Sequence, residues 1–364
     1  LIRSLDPAAG GPVELLIQLA KVQAGAGAAM EIAAIDPPGT PWSDALPVPV
    51  HNVGPGRGSH GAAPGLAAFL GREAGRFDAL FVHGLWQAHG AATRTAALET
   101  NRPYFVFPHG MLDRQFKRLY PVKHLKKLLY WWIAERAVLR DAAAVLFTCK
   151  GEEIMAEGTF WPGPYRRAIV GLGTPEPPAG PEALRAAFYD RVPEMRGKRF
   201  LLFLGRLHHK KGCDLLVEAY RRVRPGIPLL MAGPGLESEF GQALRRAALG
   251  LDIHFPGMLE GEAKWGALAA AEAFVLPSHQ ENFGLAVVEA LASRCPVLIS
   301  DKINLAGEIA GDGAGLVEAD TVEGAAALLR HWQAGTTGAL RDRARACFDR
   351  RYQIRSTAEA LAGL

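Results

Sequence analysis

Short apolar runs alternate with segments whose apolar residues recur every three or four positions, from the start of the chain almost to its end. The runs predict strands at 1–4, 29–35, 47–53, 79–83, 104–107, 143–147 and 168–172. Helical spacing predicts helices between them at 13–23, 65–73, 90–99, 122–140 and 152–157. The second half repeats the alternation, with strands at 200–204, 228–232, 253–255, 273–276, 297–300 and 315–317 and helices at 213–222 and 284–292. Strands alternating with helices build parallel α/β sheets. Residues 40–65, rich in Gly and Pro, read as loops around one strand, and residues 1–4 as the tail of a strand whose beginning is missing. The clearest break is Gly171-Leu-Gly-Thr-Pro-Glu-Pro-Pro-Ala-Gly180, an interdomain linker. The pattern therefore predicts two Rossmann-like domains, 1–174 and 175–349, with a terminal segment at 350–364.

Composition narrows the class. A chain of 364 residues, 49% hydrophobic and 21% charged, suits two domains that each bury a core. A net charge of +4 is too mild to argue for nucleic acid. Four scattered cysteines with no metal-ligand spacing point to reduced thiols and a cytoplasmic setting. No apolar run reaches the length of about 18 residues that a spanning helix needs.

The stretch 276–300 carries the most chemistry. A buried strand ends at Pro277-Ser278, a polar loop holds Glu281, a helix begins at Gly284, and a strand follows from Pro296. The loop falls at the carboxyl end of its strand, where such sheets bind ligands. The amides of Phe283, Gly284 and Leu285, at the helix start, favour an anion, and Gly284 allows close approach. Glu281 and Glu289 each offer a carboxylate to paired sugar hydroxyls, although either alone is equally a surface charge. After the strand at 200–204 come Gly205-Arg206-Leu207 and, just before the next helix, Lys211-Gly212. Arg206 and Lys211 can neutralise a diphosphate, one as a fork and one as a point charge. In the first half, Gly10-Gly11 opens a helix and exposes amides suited to an anion. His83 and His109 end two strands beside glycines, and an imidazole there can hydrogen-bond a sugar hydroxyl.

The segment 114–140 holds eight Lys/Arg against one acid, Glu135, with Phe116, Tyr120, Tyr130, Trp131 and Trp132 interleaved. A basic amphipathic segment with aromatics suits an anionic membrane surface; a core helix with a solvated basic face, or an RNA-binding patch, are the other readings.

These motifs resemble the retaining glycosyltransferases of family 4, which have the GT-B fold of two facing Rossmann-like domains with a cleft between them. Glu281 and Glu289, with seven residues between them after a Pro-Ser strand end, match the family's paired glutamates. Arg206 and Lys211 match its Gly-Arg-Leu, three residues, Lys-Gly motif without departure. The resemblance implies that Glu281 lies near the transferred sugar, that Asn282, Phe283, Gly284 and Leu285 hold the diphosphate, and that Glu289 holds the ribose. It gives Gly10 and Gly11 a contact with donor phosphate and His109 one with the donor sugar, leaving His83 for the acceptor. It sends the last helix, 350–364, back to the first domain. The expected activity moves a sugar from a nucleotide-diphospho-sugar, such as a UDP- or GDP-sugar, to a saccharide or lipid-linked acceptor in bacterial polysaccharide or glycolipid assembly. No Asp-x-Asp motif occurs, so neither metal nor cofactor is expected. The expected location is cytoplasmic, peripheral on the inner face of the membrane through 114–140. A nucleotide-sugar epimerase, or a non-catalytic nucleotide-sugar or membrane-binding module, are the alternatives.

Overall fold

The strands that pattern reading places in the second half form a single six-stranded parallel sheet in the computed structural model, which describes residues 1–364 apart from 8, 9, 27, 28, 45, 59, 164, 336 and 337. Of the loop-rich stretch 40–65, residues 45 and 59 thus lie outside the described residues. The chain divides into two units, one of residues 1–172 with 354–364 and one of residues 173–353. The first unit ends two residues before the boundary read from the linker, and its returning segment starts at Ile354 rather than at residue 350.

In the first unit the strands are β1 (Ile32–Ala34), β2 (Val50–Asn52), β3 (Leu80–His83), β4 (Tyr104–Phe107), β5 (Ala144–Phe147) and β6 (Arg167–Ile169). β3 to β6 are joined in that order and β1 pairs β2, all in parallel. Ile2 bridges both Ala34 and His83, so the expected strand at 1–4 is reduced to one bridging residue between β1 and β3. Every residue of β4 and β5 is buried, which is why these strands read as unbroken apolar runs. The helix Ile354–Ala362 packs beside the helix Gly11–Ala26.

The helix expected over 122–140 is interrupted. Pro121–Tyr130 is α-helical, Trp131–Glu135 forms a π turn, and Arg136–Asp141 resumes the α-helix. The wider turn brings Trp131 and Glu135 inward together, at 0% and 2% exposure.

In the second unit the strands are β7 (Leu201–Leu204), β8 (Leu229–Ala232), β9 (Ile253–His254), β10 (Ala273–Leu276), β11 (Val297–Ser300) and β12 (Gly315–Glu318). Their order is β12-β11-β10-β7-β8-β9. Numbered from β7, this is 6-5-4-1-2-3, the doubly wound order, whose direction reverses between β7 and β10. The four inner strands are wholly buried and the two edge strands only half-buried. The two loops singled out in the sequence therefore follow the two strands that flank the reversal, where an open α/β sheet leaves a crevice for a ligand.

Candidate functional site

The loop after β7 and the loop after β10 are stitched together by their backbones. The carbonyl of Lys210 accepts from the His279 amide at 2.8 Å and from the Ser278 hydroxyl at 2.8 Å. Ser300, at the end of β11, donates its hydroxyl to the Ser278 carbonyl at 2.5 Å. Gly212 makes the seam possible. Its φ is +64°, and a β-carbon there would lie 2.0 Å from the Pro277 carbonyl oxygen. Only glycine meets both demands, which explains the Lys-Gly pair in the sequence.

This seam brings Lys211 onto Glu281, and the two side chains form an ion pair. Burial lowers the Lys211 ammonium to about 8, and the nearby Arg206 and Lys210 charges push the same way. The Glu281 carboxylate opposes them and favours the charged ammonium. Arg206, one residue beyond Gly205, is exposed, and among the described residues no acceptor is paired with its guanidinium. Two cations and one carboxylate thus stand over the carboxyl ends of β7 and β10.

Gly284 caps the helix Leu285–Ala292 in the left-handed conformation, φ +83°. Its carbonyl takes the Val287 amide at 2.8 Å. The amides of Gly284 and Leu285 lie at the start of that helix, where the dipole favours an anion. Asn282 accepts from the Asn304 side chain at 3.2 Å, and Phe283 is buried edge-on to Tyr352. Glu289, further along the helix, is 6% exposed and pairs with Lys264 at 2.6 Å. Lys264 belongs to the helix Gly261–Ala270 and nothing in its local sequence marks it, since the pair forms between helices 25 residues apart.

In the first unit, Gly10 has φ +82° and precedes the helix Gly11–Ala26, and its carbonyl takes the Val13 amide at 3.0 Å and the Glu14 amide at 3.2 Å. His83 closes β3 and is 4% exposed. Its Nδ1 lies 3.0 Å from Nε2 of His109, and the two rings stack at 5.2 Å. Nδ1 of the buried His83 is thus engaged by His109. Burial lowers His109 to about 4 and His83 well below its ordinary range. Both are neutral at pH 7, so one ring donates and the other accepts, which leaves Nδ1 of His109 for a ligand. His109 is held at φ +47°. The buried Glu152 fixes that loop by accepting from the Gly110 amide at 2.6 Å and from the Thr148 amide at 2.8 Å. Trp86, at φ +68°, gives its amide to the buried Glu135 at 3.0 Å. Burial raises Glu135 to about 7, which removes the one acid of the basic segment from its surface.

Around that segment Val122, Leu125, Leu129, Trp132 and Ile133 are 58–71% exposed. Their spacing places them on one stripe, flanked by the exposed Lys123 and Lys126. Among the described residues no helix is long and apolar enough to cross a membrane.

Comparison with known proteins covers most of the chain. Residues 188–345 match the family model for glycosyl transferases group 1, and residues 10–173 match that of the glycosyl transferase 4-like domain. Glycogen synthase of Mycobacterium tuberculosis is 36% identical over 127 residues, 34% of this chain and 30% of that protein. D-inositol 3-phosphate glycosyltransferase of Kineococcus radiotolerans is 28% identical over 231 residues, 58% of this chain and 52% of that one. The match thus spans about a third to a half of these curated relatives. Among solved structures, Anabaena Alr3699/HepE in complex with UDP and glucose superposes with a TM-score of 0.76 at 16% identity, over 100% of this chain and 97% of that one. A sucrose-phosphate synthase from Thermosynechococcus elongatus gives 0.75 at 20% identity, over 100% and 96%.

Proposed function

From a chain that belongs to the family 4 glycosyltransferases of GT-B fold, we infer a retaining, metal-independent hexosyltransferase that draws on a nucleotide-diphospho-sugar. The observation that carries this reading is the group Arg206, Lys211, Glu281 and the Gly284 helix start at the β7/β10 reversal. Charge develops on the departing diphosphate, and preorganised cations and amides that meet it lower the barrier. Arg206 and Lys211 then do the work a divalent ion does elsewhere. Glu281, held by Lys211, addresses the hydroxyls of the transferred sugar, and Glu289 the ribose. Asn282, Phe283 and Leu285 supply the surrounding loop. The solved relative that carries UDP and glucose supports a UDP-type donor. The similarity to O-antigen chain mannosyltransferase C of Escherichia coli supports a saccharide or lipid-linked acceptor.

The test is a thermal-shift screen of UDP, GDP, ADP and their sugars, with and without Mg²⁺, followed by turnover with the sugar that shifts most. A ligand that binds only the folded state raises the melting temperature by mass action. One nucleotide should stabilise the protein equally in either buffer. No shift from any of them, with folded protein, turns the reading toward a non-catalytic module.

Lys211 gives the reaction a pH limit. With its ammonium lowered to about 8, kcat/KM should fall as pH rises through about 8. Lys211→Arg should move that limb out of range, since a guanidinium stays charged. A pH profile identical in the two proteins removes Lys211 from the role.

The acceptor side is read as the cytoplasmic membrane surface. The stripe Val122, Leu125, Leu129, Trp132 and Ile133 is apolar and exposed, and basic residues border it. Each basic residue near an anionic surface is worth about 1 kcal/mol. Lys123→Ala/Lys126→Ala should therefore weaken binding to phosphatidylglycerol vesicles about 30-fold, and Leu125→Ser/Leu129→Ser should abolish it. Sedimentation with vesicles decides it: equal pelleting of the variants and the parent excludes this surface.

A further inference from the structure

Beside the donor loops lies a second cluster that the transfer reaction does not use. His209 sits in the loop after β7, Asp214 in the first turn of the helix Cys213–Val223, and His279 two residues beyond Pro277 at the end of β10. One ligand atom of each lies within 4.8 Å of the other two. His209 Nε2 and Asp214 Oδ2 are 3.9 Å apart, too far for a hydrogen bond. Two ligands about 2.0–2.1 Å from one tetrahedral ion stand about 3.3 Å apart, so a bound ion draws these two side chains slightly together. The His209 and His279 rings stack at 4.9 Å with 19° between their planes, which holds the two imidazoles side by side.

Two independent features point the same way. Nδ1 of His279 lies 3.0 Å from Oδ2 of Asp320, in the loop after β12. A carboxylate on one imidazole nitrogen fixes the ring and makes the other nitrogen a better ligand, as in many metal sites. Oδ1 of Asp214 is buried and has no hydrogen-bond partner among the described residues. The rest of that carboxylate is half-exposed, so the covered oxygen is left without a hydrogen bond while the group stays open to a cation.

We propose that His209, Asp214 and His279 bind a divalent transition-metal ion of the zinc class, with Asp320 orienting His279. Two imidazoles and one carboxylate suit Zn²⁺ or Co²⁺ and disfavour Mg²⁺, which takes oxygen ligands. His209 is exposed, which gives the ion a way in. The ion ties the loop after β7 to the loop after β10, the same two loops that the Lys210 carbonyl already joins. Its role is to brace the segments that carry Arg206, Lys211 and Glu281; it takes no part in the transfer itself. The proposal stands apart from the donor reading, since its ligands are none of the residues assigned there.

The experiment uses the full chain, free of any affinity tag and stripped with chelator, titrated with Zn²⁺, Co²⁺ and Mg²⁺ by calorimetry. The Co²⁺ form is also read by its visible absorption. One Zn²⁺ or Co²⁺ per chain is expected, with a rise in melting temperature and no response to Mg²⁺. His209→Ala and His279→Ala should each weaken Zn²⁺ binding by at least about 100-fold, and Asp320→Asn by about 10–100-fold. Circular dichroism and the metal-free melting temperature confirm that each variant is folded. Absence of stoichiometric Zn²⁺ binding, or binding unchanged in folded His209→Ala and His279→Ala, overturns the proposal.

Discussion

Lys211→Ala is expected to cut turnover by about 10²- to 10³-fold, the range found when one preorganised donor to a developing anion is removed. Arg206→Ala is expected to fall in the same range. The two arrive there differently. Arg206 is exposed and has no protein acceptor among the described residues, so its truncation removes a cation and little packing. Its loss should appear in kcat more than in stability. Lys211 is mostly covered and holds Glu281. Its truncation takes a positive charge from the diphosphate and leaves a carboxylate without its counter-ion beside the same place. The second effect adds repulsion toward an anionic donor, so Lys211→Ala should raise KM as well as lower kcat. Lys211→Ala/Glu281→Gln, which removes both charges, should recover part of the KM effect and none of the kcat effect. Arg206→Lys should restore less than half of the lost rate, in logarithmic terms, because a point charge cannot replace a fork. Steady-state kinetics with the donor found by thermal shift, at pH 7, separates these outcomes. Near-normal turnover in both alanine variants would sink the assignment of the diphosphate site.

Much of this arrangement is legible in the chain itself. The inner strands β4, β5, β7, β8, β10 and β11 bury all of their residues, and that demand writes itself into the chain as unbroken apolar runs. Residues at the ends of such strands fall at one edge of the sheet whatever the details of packing. Arg206, Lys211 and Glu281 could therefore be grouped from position alone. Orientation was not legible. A histidine that ends a strand reads the same whether it faces solvent or, like His83, is buried and bonded to a second histidine. Nor does the helical period from 122 to 140 reveal the π turn, because one wider turn keeps the apolar count and shifts only which residues face inward. Contacts between distant segments were the least accessible. Glu152 against Gly110, His279 against Asp320 and Glu289 against Lys264 join residues 25 to 42 apart, and no local spacing encodes them.

The last of these pairs carries the second large effect. Glu289→Ala should destabilise the protein by about 3 kcal/mol and abolish nucleotide binding. Glu289 is 6% exposed, and its side chain meets the Lys264 ammonium at 2.6 Å. Removing Glu289 leaves the half-buried Lys264 ammonium without its counter-ion, which costs more than the pair itself contributes. Lys264→Met should destabilise less, because Glu289 keeps other interactions. Lys264→Met/Glu289→Leu removes both charges and fills the space, so it should regain most of the lost stability. Nucleotide affinity should follow a different rule. If Glu289 receives the ribose hydroxyls, both variants that lack it bind nucleotide poorly, including the stable double variant. Lys264→Met, which keeps the carboxylate, should bind once the temperature is low enough for it to be folded. Thermal melts and nucleotide titration on all four proteins complete the cycle. A double variant that is stable and binds nucleotide as the parent does assigns Glu289 to the fold alone and leaves the ribose to other groups.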